Sequence, residues 1–124
     1  MPLPTGTVTF LFTDIESSTQ RWDRHHEAMR SAVERHDEIM RRVIEANRGY
    51  VFKTVGDAFC ATFGRPTYAL TAAIDAQRES VKEDFAVVEG LRVRSGARSV
   101  ASSEIWPALR LSLRNRRSSL QPIL

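Results

Sequence analysis

The stretch that most constrains the fold is Tyr50–Phe63, YVFKTVGDAFCATF. Two runs rich in β-branched and aromatic residues flank Gly56-Asp57. Glycine supplies positive φ without steric cost, so this dipeptide suits a two-residue hairpin turn. The two runs are expected to be consecutive antiparallel strands.

Upstream, Thr7–Thr13 reads as another strand, because β-branched and aromatic residues dominate it and Leu11 is its only helix former. The long segment after it reads as one helix. Trp22, Met29, Val33, His36, Met40 and Val43 recur at steps of three, four or seven and share a face. Ser17 with Gln20 resembles a capping box at its start, and Gly49 is positioned to end it. Downstream of the hairpin, Pro66 precedes a second amphipathic helix, Tyr68–Val81, with Leu70, Ala73, Ile74 and Gln77 at helical spacing. Leu91–Arg94 begins a fourth strand. There are no internal repeats.

The order β-α-β-β-α-β is the split βαβ, ferredoxin-like arrangement, an α+β fold with an antiparallel sheet and two helices on one face. In that topology strand three lies between strands one and two. The end of strand one, at Asp14, then sits beside the start of strand three, at Asp57. Two neighbouring carboxylates repel, and one takes up a proton or a cation. A Mg²⁺ ion held by one or two carboxylates plus substrate phosphates resolves the conflict, and two such ions suit phosphoryl transfer. The helix start after Asp14 offers backbone N–H groups to a phosphate.

FTDIESST, followed downstream by FKTVGDAF, resembles the class III adenylate/guanylate cyclase catalytic domain, from about Val8 through Arg94. The resemblance implies that Asp14 and Asp57 are metal-binding aspartates for two Mg²⁺ or Mn²⁺ ions, with the backbone carbonyl of Ile15 as a further ligand. It implies that Lys53 stands at the position of a base-recognising lysine; a solvent-facing strand residue is the equal alternative, and alternation, which sets Val51 in, Phe52 out and Lys53 in, does not decide between them. Ser17, Ser18 and Thr19 are expected to cap the helix and to meet phosphate through backbone N–H groups. The implied reaction converts ATP to cyclic AMP and pyrophosphate. The implied partner is a second cyclase domain, as a homodimer or as a heterodimer with an intact cyclase.

Three departures accompany the resemblance. Ser17 stands where family members commonly carry glycine. After LRVR the chain reads SGARSVASSEIWPALRLSLRNRRSSLQPIL, which lacks the family's later base-recognition acid and transition-state Asn/Arg helix, so no transition-state residue is identified. The chain is also shorter than a full catalytic domain. Residues 1–95 are thus read as a partial cyclase domain and 96–124 as an off-family, weakly ordered basic tail, the product of a frameshift or truncation. Charge follows the same division: residues 1–95 carry a net −1, whereas 96–124 hold five arginines and one glutamate. Catalysis by this chain alone is expected to be impaired, and the alternative reading is a non-catalytic dimerisation or regulatory fragment.

With 124 residues the chain suits one domain. No apolar run approaches the roughly 20 residues of a membrane span, and MPLPTGTVTF carries no signal-like stretch. The single cysteine, Cys60, fits a reducing compartment, and the expected location is the cytoplasm. Cys60 reads as a small packed thiol, and His25, His26 and His36 as surface or edge residues rather than ligands. The arginines at 98, 110, 114, 116 and 117 lack interleaved aromatics apart from Trp106, which argues against nucleic-acid binding; a short helix over Ile105–Leu113 is the alternative to a weakly ordered tail.

Overall fold

The computed structural model describes residues 6–101. The expected helix Ile105–Leu113, Trp106 and the arginines beyond Arg98 lie outside the described residues.

Strand β1 spans Thr7–Ile15, helices α1 and α2 span Ser18–Arg24 and His26–Ala46, and strands β2 and β3 span Tyr50–Val55 and Ala58–Phe63. Helix α3 spans Pro66–Val81, a 3₁₀ turn covers Ala86–Val88, and β4 spans Val93–Ala101. The sheet order is β2-β3-β1-β4, with every neighbouring pair antiparallel. Strand three lies between one and two, as the split βαβ order requires, and Val55 pairs with Ala58 across the Gly56-Asp57 turn. Gly56 has φ +58, the conformation for which glycine is needed there. The expected fold is the observed one. β4 starts two residues later than Leu91 and runs on to Ala101, past the expected tail boundary at residue 96.

Alternation divides the strand side chains between two faces. Leu11, Phe59, Ala61 and Phe63 pack with Ile39, Met40, Val43 and Ile44 of α2 and with Ala69, Ala72 and Ala76 of α3. On the opposite face Val8, Phe10, Phe52 and Cys60 form a second cluster, with Phe12 and Val100 against it.

The helical segment differs from its sequence reading in four ways. It is two helices, broken at His25 (φ −135, ψ 50), so Trp22 belongs to α1 and stays half-buried while Met29, His36, Met40 and Val43 sink into the core. His36 is only 1% exposed: its Nδ1 lies 2.9 Å from Asp37 Oδ1, and its ring meets Phe59 edge-on at 6.0 Å. It is a core residue, not a surface one. Ser17 occupies the N-cap position but makes no side-chain cap, because its backbone is left-handed at φ 56. Finally, Gly49 is not the left-handed residue that ends α2.

Arg48 takes that role at φ 64. Its N–H reaches Glu45 O at 3.1 Å and the Gly49 N–H reaches Ile44 O at 2.8 Å, the two bonds of a Schellman motif. Glycine is required at position 49 for room, since a Cβ there would stand 2.5 Å from Phe63 Cε2. In α3 the buried face is Ala69, Ala72, Ala76 and Ser80, while Leu70 and Ile74 are 61% and 41% exposed. Small residues let α3 lie close to the sheet and to α2. The larger apolar residues that suggested a core face point away from it.

Candidate metal and nucleotide site

The end of β1 and the turn into β3 bring the two aspartates to one edge of the sheet. Thr13 pairs with Phe59, so the next steps of each strand set Asp14 beside Ala58 and Ile15 beside Asp57. The Ile15 N–H donates to Asp57 Oδ1 at 3.3 Å, which ties the turn carboxylate to the backbone of the strand end. Ile15 thus faces Asp57 with its main chain while its side chain is buried.

Asp14 is half-buried and already holds a cation. Arg94, its register partner on β4, donates Nε to Asp14 Oδ1 and Nη2 to Oδ2, both at 2.8 Å. The Asp14 carboxylate raises the Arg94 guanidinium pKa, first through this hydrogen bonding and then through its charge; Glu16 and Asp57 add smaller pulls in the same direction. In the sequence Arg94 is marked only as part of the fourth strand. Its place opposite Asp14 follows from the β1–β4 register, which no local signal in either strand fixes.

Beside this pair lies a cavity of about 410 Å³ on the face away from the helices. Phe12, Asp14, Lys53, Cys60, Arg94 and Gly96 are among its lining residues. Lys53 reaches it through a β-bulge. The register shifts between Val51 and Lys53, leaving Phe52 as the extra residue, so Lys53 pairs with Cys60. Simple alternation would place Lys53 on Val51's side, toward the helices. The bulge puts it with Phe52 and Cys60 instead, and nothing in YVFKTV announces it. Burial pushes the Cys60 thiol pKa up, partly opposed by the charge of Lys53. This is the behaviour of a packed thiol rather than a nucleophile.

Ser17 is exposed, Ser18 half-buried and Thr19 exposed, at the start of α1. α1 is fastened to the loop before β4: Arg21 donates Nε to Gly90 O at 2.7 Å and Nη1 to Glu16 O at 2.9 Å.

The donor set suits a hard cation. The carboxylates of Asp14 and Asp57 and the main chain of Ile15 lie at one edge, oxygen donors of the kind such a cation takes, with the Arg94 guanidinium beside them. Among the described residues no three His, Cys, Asp or Glu side chains converge, so the site rests on these two carboxylates.

The adenylate and guanylate cyclase catalytic domain family matches residues 2–96. An adenylate cyclase of Podospora anserina is 47% identical over 70 residues, 56% of this chain and 3% of that protein. One of Schizosaccharomyces pombe is 41% identical over 93 residues, 73% of this chain and 6% of that protein. A solved structure of adenylate cyclases from Trypanosoma brucei in their monomeric state superposes with TM-score 0.72 at 28% identity, over 80% of this chain and 57% of that one. The chain therefore spans a small fraction of its curated relatives and little more than half of the solved domain. On this match, and on the fold that accompanies it, the chain belongs to the adenylate and guanylate cyclase catalytic domain family.

Proposed function

We propose that this edge of the sheet is the metal-holding half of a nucleotide cyclase site acting on ATP. The observation that carries the reading is the meeting of Asp14 and Asp57 at one strand end, with the Ile15 main chain between them. Asp14, Asp57 and the Ile15 carbonyl would hold two Mg²⁺ or Mn²⁺ ions. When bound, such ions supply activation of the ribose 3′-hydroxyl and neutralisation of charge developing on the phosphates. Lys53 lines the cavity, and its ammonium donates hydrogen bonds to a nucleobase acceptor there. Ser17, Ser18 and Thr19 offer main-chain N–H groups to the triphosphate at the start of α1, where such groups lack partners within the helix.

Residues 1–95 form the cyclase portion in this reading; it pairs with a second cyclase domain, as another copy or as an intact cyclase, and only the intact cyclase would supply the residues this chain lacks. Among the described residues no helix is long and apolar enough to cross a membrane; we assign the protein to the cytoplasm.

A second reading, a dimerisation or regulatory module without catalysis, is favoured by one observation: the family match ends at residue 96. The transition-state donors expected beyond that point are worth about 10²–10³ each in rate. A thermal melt with and without Mn²⁺ and a non-hydrolysable ATP analogue separates the two. A cooperative transition raised by the ligands supports the nucleotide site, since a ligand that binds only the folded state raises its stability. A cooperative but unmoved transition supports the module.

A further inference from the structure

Both oxygens of Asp14 are taken. The Arg94 guanidinium grips them in a two-pronged pair, Nε to Oδ1 and Nη2 to Oδ2 at 2.8 Å each. The grip is built into the sheet, because Asp14 and Arg94 are direct partners in the β1–β4 register, on the same face of adjacent strands. Asp57 and Glu16 add smaller electrostatic pulls that favour the charged guanidinium. Both residues border the cavity.

We infer that Arg94 is a tethered counter-cation that occupies Asp14 until a divalent ion arrives, so that metal and guanidinium exclude each other at this carboxylate. The inference rests on the metal reading of Asp14. The guanidinium fork takes one lone pair on each oxygen of the carboxylate, the two that a hard cation chelated by both oxygens would need. Adding a dication beside the guanidinium also sets like charges against each other at a few ångströms. Metal entry therefore requires the Arg94 side chain to release Asp14. The pair is solvent-exposed, with side chains 60% and 42% accessible for Arg94 and Asp14. Exposed ion pairs are weak, so the release is reversible and does not unfold the edge. The arrangement makes metal occupancy depend on a competition inside the chain. It also keeps the acidic edge compensated in the metal-free protein.

The test is Mn²⁺ binding without nucleotide, read from the electron paramagnetic resonance signal of free Mn²⁺, for the wild-type chain, Arg94→Gln and Arg94→Lys. The expected result is a Kd lowered roughly tenfold in Arg94→Gln, from removal of one nearby positive charge and of the competing pair. Arg94→Lys retains the charge but loses the fork, and is expected to fall between the two. Circular dichroism melts of all three establish that each is folded. Equal Kd values for wild type and Arg94→Gln would overturn the exclusion while leaving the metal reading intact. Weaker binding in Arg94→Gln would also overturn it, by making Arg94 a support of the site rather than a competitor. Failure of all three folded proteins to bind Mn²⁺ would overturn this inference, and failure also in the presence of a non-hydrolysable ATP analogue would overturn the metal reading with it.

Discussion

The main-chain N–H of Ile15 donates to Asp57 Oδ1 at 3.3 Å, joining the end of one strand to the turn that opens another. The turn carboxylate therefore has two separable roles, one in holding the edge together and one in carrying charge. Asp57→Asn keeps an oxygen acceptor and loses the charge, so its melting temperature is expected to stay close to wild type. Asp57→Ala loses the acceptor as well, and is expected to be destabilised by about 1 kcal/mol. Chemical denaturation of the two variants side by side checks this; equal stability would mean that the bond contributes nothing.

Gly49 is the position where a single methyl group is expected to do most harm. A Cβ there would stand 2.5 Å from Phe63 Cε2 and 2.7 Å from Ile44 Cγ2, both core side chains. Gly49→Ala is expected to cost about 1–3 kcal/mol, the range for overpacking a filled core. A urea denaturation curve reads the shift in midpoint.

Ser17 is held at φ 56 with no side-chain cap in return. Relief of left-handed strain by glycine outweighs the extra freedom that glycine gives the unfolded chain. Ser17→Gly is therefore expected to stabilise the protein by about 0.5 kcal/mol, with the change seen as a small rise in melting temperature. A fall would mean that the serine makes an unrecognised contribution.

The loop before β4 carries an acid-sensitive tie. Glu89 Oε2 lies 2.8 Å from His25 Nε2, and Arg24 Nη1 reaches the same carboxylate at 3.3 Å. The His25 hydrogen bond is the leading cause that lowers the Glu89 pKa below its ordinary 4.5; desolvation opposes it, and Arg24 adds to the lowering. A carboxyl whose folded pKa is depressed contributes its stability above the unfolded value and loses it as the pH falls through the folded one. The tie between the α1–α2 break and this loop is thus complete above about pH 4.5 and is lost progressively in more acid solution. His25→Ala is expected to return the Glu89 titration toward 4.5, measured by carboxyl ¹³C NMR. An unmoved titration would assign the shift to Arg24.

Much of this could be read from residue order alone, and the misses share a physical pattern. The hairpin, the strand order and the Asp14–Asp57 juxtaposition were legible because turn chemistry and topology leave few alternatives. The face of α3 was misread because hydrophobicity favours Leu70 and Ile74, whereas close helix–sheet approach favours Ala69, Ala72 and Ala76. The helix break at His25 has no glycine or proline to mark it. Gly49 was read as conformational when it is a matter of room. At the site, the bulge at Phe52 and the Asp14–Arg94 pair arise from strand register, which is a property of two strands together. Local patterns in either one do not contain it.

In the function proposed, Asp14 and Asp57 hold metal for a nucleotide. Calorimetric titration with Mn²⁺ in the presence of a non-hydrolysable ATP analogue tests it most directly, on the wild-type chain, Asp14→Asn and Asp57→Asn. Saturable binding by the wild type is expected, with its loss in both variants while each remains folded. Unchanged affinity in both variants would contradict it.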